Sequence, residues 1–483
     1  MNVLFDVISS LNKEERRFFK LFAGRTNSSD NRKDLYLFDY FMKQNDPEED
    51  KISSQLYGEN KNAFYRLKNR LLSDINKSLL LQHIGNETDL STLQHLLLSR
   101  VFKQKRKTQV AVYYLKNAEK KATKTESFEL LNIIYNELIK LSHEMISIDV
   151  EEYIEKRKKN NTKLQQLHEI DDVLAAVMYR VRSAQNFSGK SAPIIEMLQN
   201  TVNDFTENND IKTSSKLRIK IYQAVSRILL QKHDYTALEE YLKHTIAEFK
   251  KDGLYKKETH DIKLQMLTYL INSLFKNKKY TQSLKHTQEL EKEMEAFGGF
   301  LKDSFLFYLY NSLVINYSVI DKEKAIKILE EAKNNTFIKQ LPTYTVFIYL
   351  NMALILFDLK RYKPAIKHLS RLYLHEDFTK IARSFQIKIL AAGLIMRYEI
   401  GDFDYLELQI KHWKKEFEDL LSKKEFEREV LLVDVLSDLV YNDSIKNTPS
   451  LLQKSELLIS KLSDDEAEDA DVINYNHWIK SKL

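Results

Sequence analysis

Bond-breaking chemistry needs nucleophiles, matched acids and bases, or metal ligands at workable spacing, and this sequence holds few of them. It has no cysteine, which removes thiolate catalysis, disulfides and sulfur-ligated zinc or iron–sulfur centres. Its 12 histidines are dispersed, with no HExxH, no close pair and no histidine–carboxylate cluster at metal-ligand spacing. There is no GxSxG elbow and no Walker-type phosphate loop; the one glycine pair, Gly298 and Gly299, sits between Phe297 and Phe300 and predicts an inter-helix turn. The adjacent carboxylates Glu239 and Glu240 read as a polar helix face with nothing to raise a pKa. These patterns predict a protein that is not an enzyme and uses no metal and no cofactor.

Groups suited to binding are easier to find. Two basic runs, KQKRK (Lys103, Lys105, Arg106, Lys107) and KRKK (Lys156, Arg157, Lys158, Lys159), would make a phosphate-binding stripe for RNA, the ribosome or DNA if both emerged on one rim. Against that, Glu151, Glu152 and Glu155 adjoin the second run, and a solvated edge explains both. Nearer the front, ENKNAFYRLKNRLLSDINKSLLLQ carries an apolar stripe of Phe64, Leu67, Leu71, Ile75 and Leu79, with Lys61, Arg66, Lys68, Asn69 and Arg70 outside it. A short helix at 48–57, a turn at Gly58 and this longer helix match what a helix-turn-helix or winged-helix module offers a major groove, and equally a helical cap. A third set, Asn272, Asn311 and Asn351, lies inside otherwise apolar helices at separations of 39 and 40 residues.

The elements that must position these groups are helices. Only 9 glycines and 5 prolines occur in 483 residues, so the chain has few punctuators and reads as continuous helix. From residue 215 onward, apolar helices near 215–232, 259–277, 303–319, 343–359, 380–398 and 424–441 alternate with more polar ones. Taking Leu238, Ser283, Ala325, Ala365 and Leu406 as equivalent anchors gives steps of 45, 42, 40 and 41 residues. One helical hairpin per constant step predicts an all-α solenoid, because a lone hairpin cannot bury both of its apolar faces and stacking can.

In Tyr349 to Leu372, the residues Tyr349, Met352, Ala353, Leu356, Tyr362, Ala365, Leu369 and Leu372 fall near the hydrophobic and small positions of a known motif. The segment resembles tetratricopeptide-type helical repeats, with a longer step than that family's and with most of its glycine and proline positions missing. The preceding unit matches at Leu309, Ala325, Leu329 and Ala332 but has Leu313 where the family prefers a small residue. The resemblance implies a superhelix with a concave surface. In peptide-binding members an asparagine at the place of Asn311 and Asn351 clamps a peptide backbone; Asn272 stands closer to its anchor. Bonding to a neighbouring helix is the other reading of all three.

The divisions expected are a small helical N-terminal domain (1–82), basic hairpins (83–214), the repeats (215–442) and capping helices with an acidic cluster (443–483). The basic excess concentrates toward the front: residues 83–165 hold 15 Lys or Arg against 11 Asp or Glu. The cluster Asp464, Asp465, Glu466, Glu468, Asp469 and Asp471 reads as a solvated face. The most apolar stretch, Val346 to Phe357, is too short to span a bilayer, and Met1 to Leu21 lacks a signal-peptide core. Together these predict a cytoplasmic, non-enzymatic scaffold that binds a partner protein or extended peptide. The alternative is a nucleic-acid or ribonucleoprotein-associated factor, related to the ribosome or to transcription, that uses the basic front third.

Overall fold

The computed structural model describes residues 3–26, 32–43, 48–85, 88–145, 147–183, 213–341, 344–442, 445 and 448–483. The loop expected at 183–193 and the helix expected at 192–207 lie outside the described residues, apart from Ser183. Among the described residues there is helix and no strand. The chain divides into two compact units, residues 1–167 and 168–483.

The first unit opens with α1 (Val3–Ser10), α2 (Lys13–Thr26), α3 (Lys33–Lys43), α4 (Glu49–Tyr57) and α5 (Lys61–His83). Their apolar stripes meet in a core that includes Ile8, Phe19, Phe38, Phe41, Ile52, Leu67 and Ile75. Asn12 caps α2 as its sequence implies: Glu15 N donates to Asn12 Oδ1 at 2.9 Å, and Asn12 N donates to Glu15 Oε2 at 2.8 Å. Next come α6 (Thr88–Gln104), α7 (Thr108–Lys124), α8 (Phe128–Leu141) and α9 (Val150–Ser183). The hairpins expected over 83–214 divide this stretch into helices at 150–165 and 168–186, but α9 runs unbroken. No glycine or proline interrupts it, and Leu167, in the expected break, is buried.

The second unit continues with hairpins: α10 (Ser215–Gln231) with α11 (Tyr235–Lys251), α12 (His260–Lys276) with α13 (Tyr280–Met294), α14 (Lys302–Ile320) with α15 (Lys322–Asn334), α16 (Tyr344–Asp358) with α17 (Tyr362–Tyr373), and α18 (Arg383–Ile400) with α19 (Phe403–Glu416). They stack as antiparallel pairs, and all five anchors, Leu238, Ser283, Ala325, Ala365 and Leu406, are fully buried. Gly393, inside α18, lies where a Cβ would run into the Tyr373 hydroxyl, so the absent side chain permits this close packing. Beyond α20 (Glu427–Leu439) come α21 (Pro449–Ser460), α22 (Asp464–Ala470) and α23 (Tyr475–Lys480); α21 contributes Leu451 and Leu458, and α23 Tyr475 and Ile479, to the core that starts at α16.

The hairpin turns explain the shortage of glycine. In four of the five hairpins just described, and in the turns after α6 and α7, a residue in the left-handed region is followed by an amide that donates to the carbonyl five residues back. Examples are Asp234 to Leu229 (3.1 Å), Lys279 to Leu274 (2.8 Å) and Arg361 to Leu356 (2.9 Å). Only Gly401 among these positions is glycine; the others are Arg106, Glu126, His233, Lys278 and Lys360, with φ between 51° and 60°. Few glycines therefore do not mean few turns. A non-glycine residue there costs about 1–2 kcal/mol, partly offset by a stiffer unfolded chain. Lys360→Gly should therefore raise the urea midpoint by the equivalent of up to about 1 kcal/mol, while Lys285→Gly, inside α13, should lower it by about as much. A stability loss at position 360 would contradict this account of the turn. The α14–α15 hairpin dispenses with the turn, because Asp321 follows Ile320 directly and caps α15 through Lys324 N at 3.0 Å.

Candidate functional site

The first helix of each hairpin keeps one face out of the core. On α12 that face carries Asp261, Gln265, Thr268 and Asn272; on α14 it carries Ser304, Tyr308, Asn311 and Ile315; on α10 it carries Lys216, Lys220, Gln223 and Arg227. Most of these side chains are half-buried. Asn272 and Asn311 both lie on this face, and neither amide has a hydrogen bond among the described residues. Asn351, on the outer face of α16, donates instead to Phe347 O of its own helix at 2.8 Å. Two of the three predicted asparagines thus keep donors available, and the third is turned onto its own backbone.

One asparagine that holds neighbouring helices together, and that sequence reasoning missed, is Asn316. Fully buried, it donates to Ser283 Oγ at 2.9 Å and to Ser312 O at 2.8 Å, while Ser283 Oγ donates to Ile271 O at 2.9 Å. This relay ties α14 through α13 to α12. Its signal was visible, since Ser283 is the one hydroxyl among five otherwise apolar anchors. A cavity of about 500 Å³ opens between α13, α14 and α15, lined by Leu284, Gln288, Glu291, Tyr317, Lys324 and Glu331, and it includes none of the predicted site residues.

The basic runs do not share an edge. Lys105, Arg106 and Lys107 form the turn before α7, an end marked by the Thr108 hydroxyl donating to Glu144 at 3.3 Å. Lys156 instead reaches Glu119 at 2.9 Å, twelve residues and about 18 Å further along α7. Much of the second run is engaged internally: Lys156 also pairs with Glu152 (2.7 Å), Arg157 donates to Asn136 Oδ1 (2.8 Å) and Lys158 pairs with Glu155 (3.0 Å). Lys103 lies 3.9 Å from Glu137, and Lys159 is exposed.

In the front helices, α4, the turn at Gly58 and α5 follow the predicted order, with Asn60 capping α5 through Ala63 N at 3.0 Å. Lys68 pairs with Glu49 at 2.5 Å and Lys61 lies 3.5 Å from Asp50, so both lysines answer α4. Arg66, Asn69 and Arg70 are exposed and have no partner among the described residues.

Three buried carboxylates depart from the expectation that acids mark solvated faces. Glu239 is 3% exposed and accepts from Lys243 (2.6 Å), Lys279 (2.8 and 2.9 Å) and Asn277 (2.6 Å). Burial alone would raise its pKa, but these donors outweigh burial and pull it down to about 2. Asp471, last of the acidic cluster, is buried against Arg428 at 2.7 Å. Beside it, Glu429 is 1% exposed and lies 3.3 Å from Lys388. Burial pushes both of these carboxyls above their ordinary range. Apart from Lys243, one helical turn on from Glu239, each partner lies at least 38 positions away, which no local pattern reveals. Among the described residues no group of three His, Asp or Glu is placed to hold a metal ion, and no helix is long and apolar enough to cross a membrane. No family model, curated protein or solved structure matches the chain.

Proposed function

We propose that the hairpins of residues 215–442 are a tetratricopeptide-like array whose first-helix face captures an extended segment of a partner protein. The protein acts in the cytoplasm as a scaffold and not as an enzyme. The observation that carries this reading is the face of α10, α12 and α14: amides, hydroxyls and cations stand half-buried in rows about one hairpin apart. An extended peptide presents a carbonyl and an amide at every residue, and side-chain amides can pair with both. Asn272 and Asn311 hold such groups ready, whereas Asn351 would first have to leave Phe347 O.

Each amide–backbone hydrogen bond adds about 1 kcal/mol, so losing two should weaken binding roughly tenfold or more. The full chain, immobilised, should enrich a family of sequences from a random peptide display library. Asn272→Ala/Asn311→Ala should bind the enriched peptides at least tenfold more weakly with unchanged circular dichroism, and Asn351→Ala should change binding less. A library that yields no enriched family, or peptides that bind the double variant equally well, would overturn the assignment.

A further inference from the structure

We propose that the outward face of α7, with the turn that precedes it, binds the sugar–phosphate backbone of a nucleic acid. The site is independent of the first-helix face. Between residues 100 and 124 the sequence holds nine Lys or Arg and one acid, Glu119, a local charge of +8 against +6 for the whole chain. The one acid is occupied: it accepts from Lys156 at 2.9 Å and from the Tyr153 hydroxyl at 3.2 Å, both on α9.

The geometry sorts these cations. Ala111, Leu115, Ala118 and Ala122 of α7 are buried, which leaves Tyr113, Lys116, Lys120 and Lys124 on the opposite side of the helix, all exposed. The three lysines follow at intervals of four residues, about 6 Å along the axis, and none has a carboxylate within ion-pair distance among the described residues. Lys105, Arg106 and Lys107 extend the row past the helix N-terminus, itself an electropositive end. From Lys107 to Lys124 the row runs about 26 Å, roughly seven phosphate steps along one strand of a duplex.

An acidic protein partner fits this face less well. Protein interfaces are organised around an apolar centre, and the exposed side of α7 sets one large ring, Tyr113, among Gln109, Lys116, Lys120, Thr123 and Lys124. What it has is Tyr113, 63% exposed, which gives a base a ring to stack on. The second basic run plays no part, since Lys156 faces Glu119 and Arg157 faces Asn136.

The test titrates the full-length protein into two fluorescein-labelled probes, a 20-nucleotide oligo(U) and a 20-base-pair DNA duplex, from about 50 to 200 mM salt. With four to six phosphates neutralised, log K should fall against log salt with a slope between about −3 and −5 on at least one probe. The stronger arm identifies single strand or duplex. Lys116→Gln/Lys120→Gln/Lys124→Gln should reduce the slope by about 2 to 3 and weaken binding roughly tenfold or more at 50 mM salt, with an unchanged circular dichroism spectrum. Lys158→Gln/Lys159→Gln, which removes two lysines of the second run, should bind as the parent does. Tyr113→Ala should weaken the oligo(U) arm roughly tenfold if that arm is the stronger. No binding of either probe at 50 mM salt, equal binding by the triple variant, or displacement by polyglutamate as effective per charge as by unlabelled probe would each overturn the proposal.

Discussion

Replacing Arg428 by methionine is expected to lower the unfolding free energy by about 3–5 kcal/mol near neutral pH, because it strands a buried carboxylate. Arg428 donates to Asp471 at 2.7 Å, to Leu458 O at 3.0 Å and to Asn476 Oδ1 at 3.3 Å, and so links α20 to α21 and to the end of the chain. Asp471 Oδ1 and Glu429 Oε2 already lack hydrogen bonds, so the carboxylates are short of donors before Arg428 is removed. The loss should depend on pH. Burial already holds the Asp471 and Glu429 carboxyls above their ordinary range, and removing the guanidinium drives Asp471 higher still. A carboxyl whose folded pKa exceeds its unfolded value contributes stability in acid and loses it as pH rises through the folded value. The variant's deficit should therefore be largest near pH 7.5 and smaller near pH 5, closer to protonation of Asp471. Urea unfolding of both proteins at the two pH values measures this; a deficit below about 1 kcal/mol at pH 7.5, or one that grows on acidification, would refute it.

The sequence resolved this molecule wherever one residue type recurs under one constraint. Leu238, Ser283, Ala325, Ala365 and Leu406 sit where two hairpins must touch, so the step of 40–45 residues could be counted and every anchor is buried. The capping pair Asn12 and Glu15 was legible for the same local reason. Left-handed turn residues were not, because Arg106, Glu126, His233, Lys278 and Lys360 share a backbone angle and no side-chain chemistry. Long-range pairing was equally hidden: nothing near Glu119 announces that Lys156 will neutralise it, and that pairing decides which lysines remain for a ligand. Composition located a basic front third, but only the burial of Ala111, Leu115, Ala118 and Ala122 shows that Lys116, Lys120 and Lys124 share a face. The asparagines divided likewise. Their period was visible, whereas the turning of Asn351 onto Phe347 O required coordinates.

Glu239→Gln should cost up to roughly 3 kcal/mol near pH 7 and almost nothing near pH 2. The ordinary glutamate value is 4.5 and the folded value about 2, and each unit is about 1.4 kcal/mol. The figure is an upper bound, because the lysines that supply the charge are nearly half exposed. Here the folded pKa is depressed, so the contribution is complete above about pH 4.5 and lost as pH falls toward 2. The wild-type minus variant difference in urea stability, followed between pH 7 and pH 2.5, should collapse across that window; a difference that persists at pH 2.5 would contradict the assignment to charge. The seam matters because Glu239 of α11 reaches Lys279 and Asn277, which lead into α13, and so fixes one hairpin against the next. Glu323 repeats the device by holding Arg361, the residue before α17, at 2.5 Å, but both members of that pair are about half exposed. Of the two seams, only the one at Glu239 buries its carboxylate, so acid should loosen the stack first between α11 and α13. That is where the faces of α10 and α12 must keep their spacing if an extended peptide is to cross both.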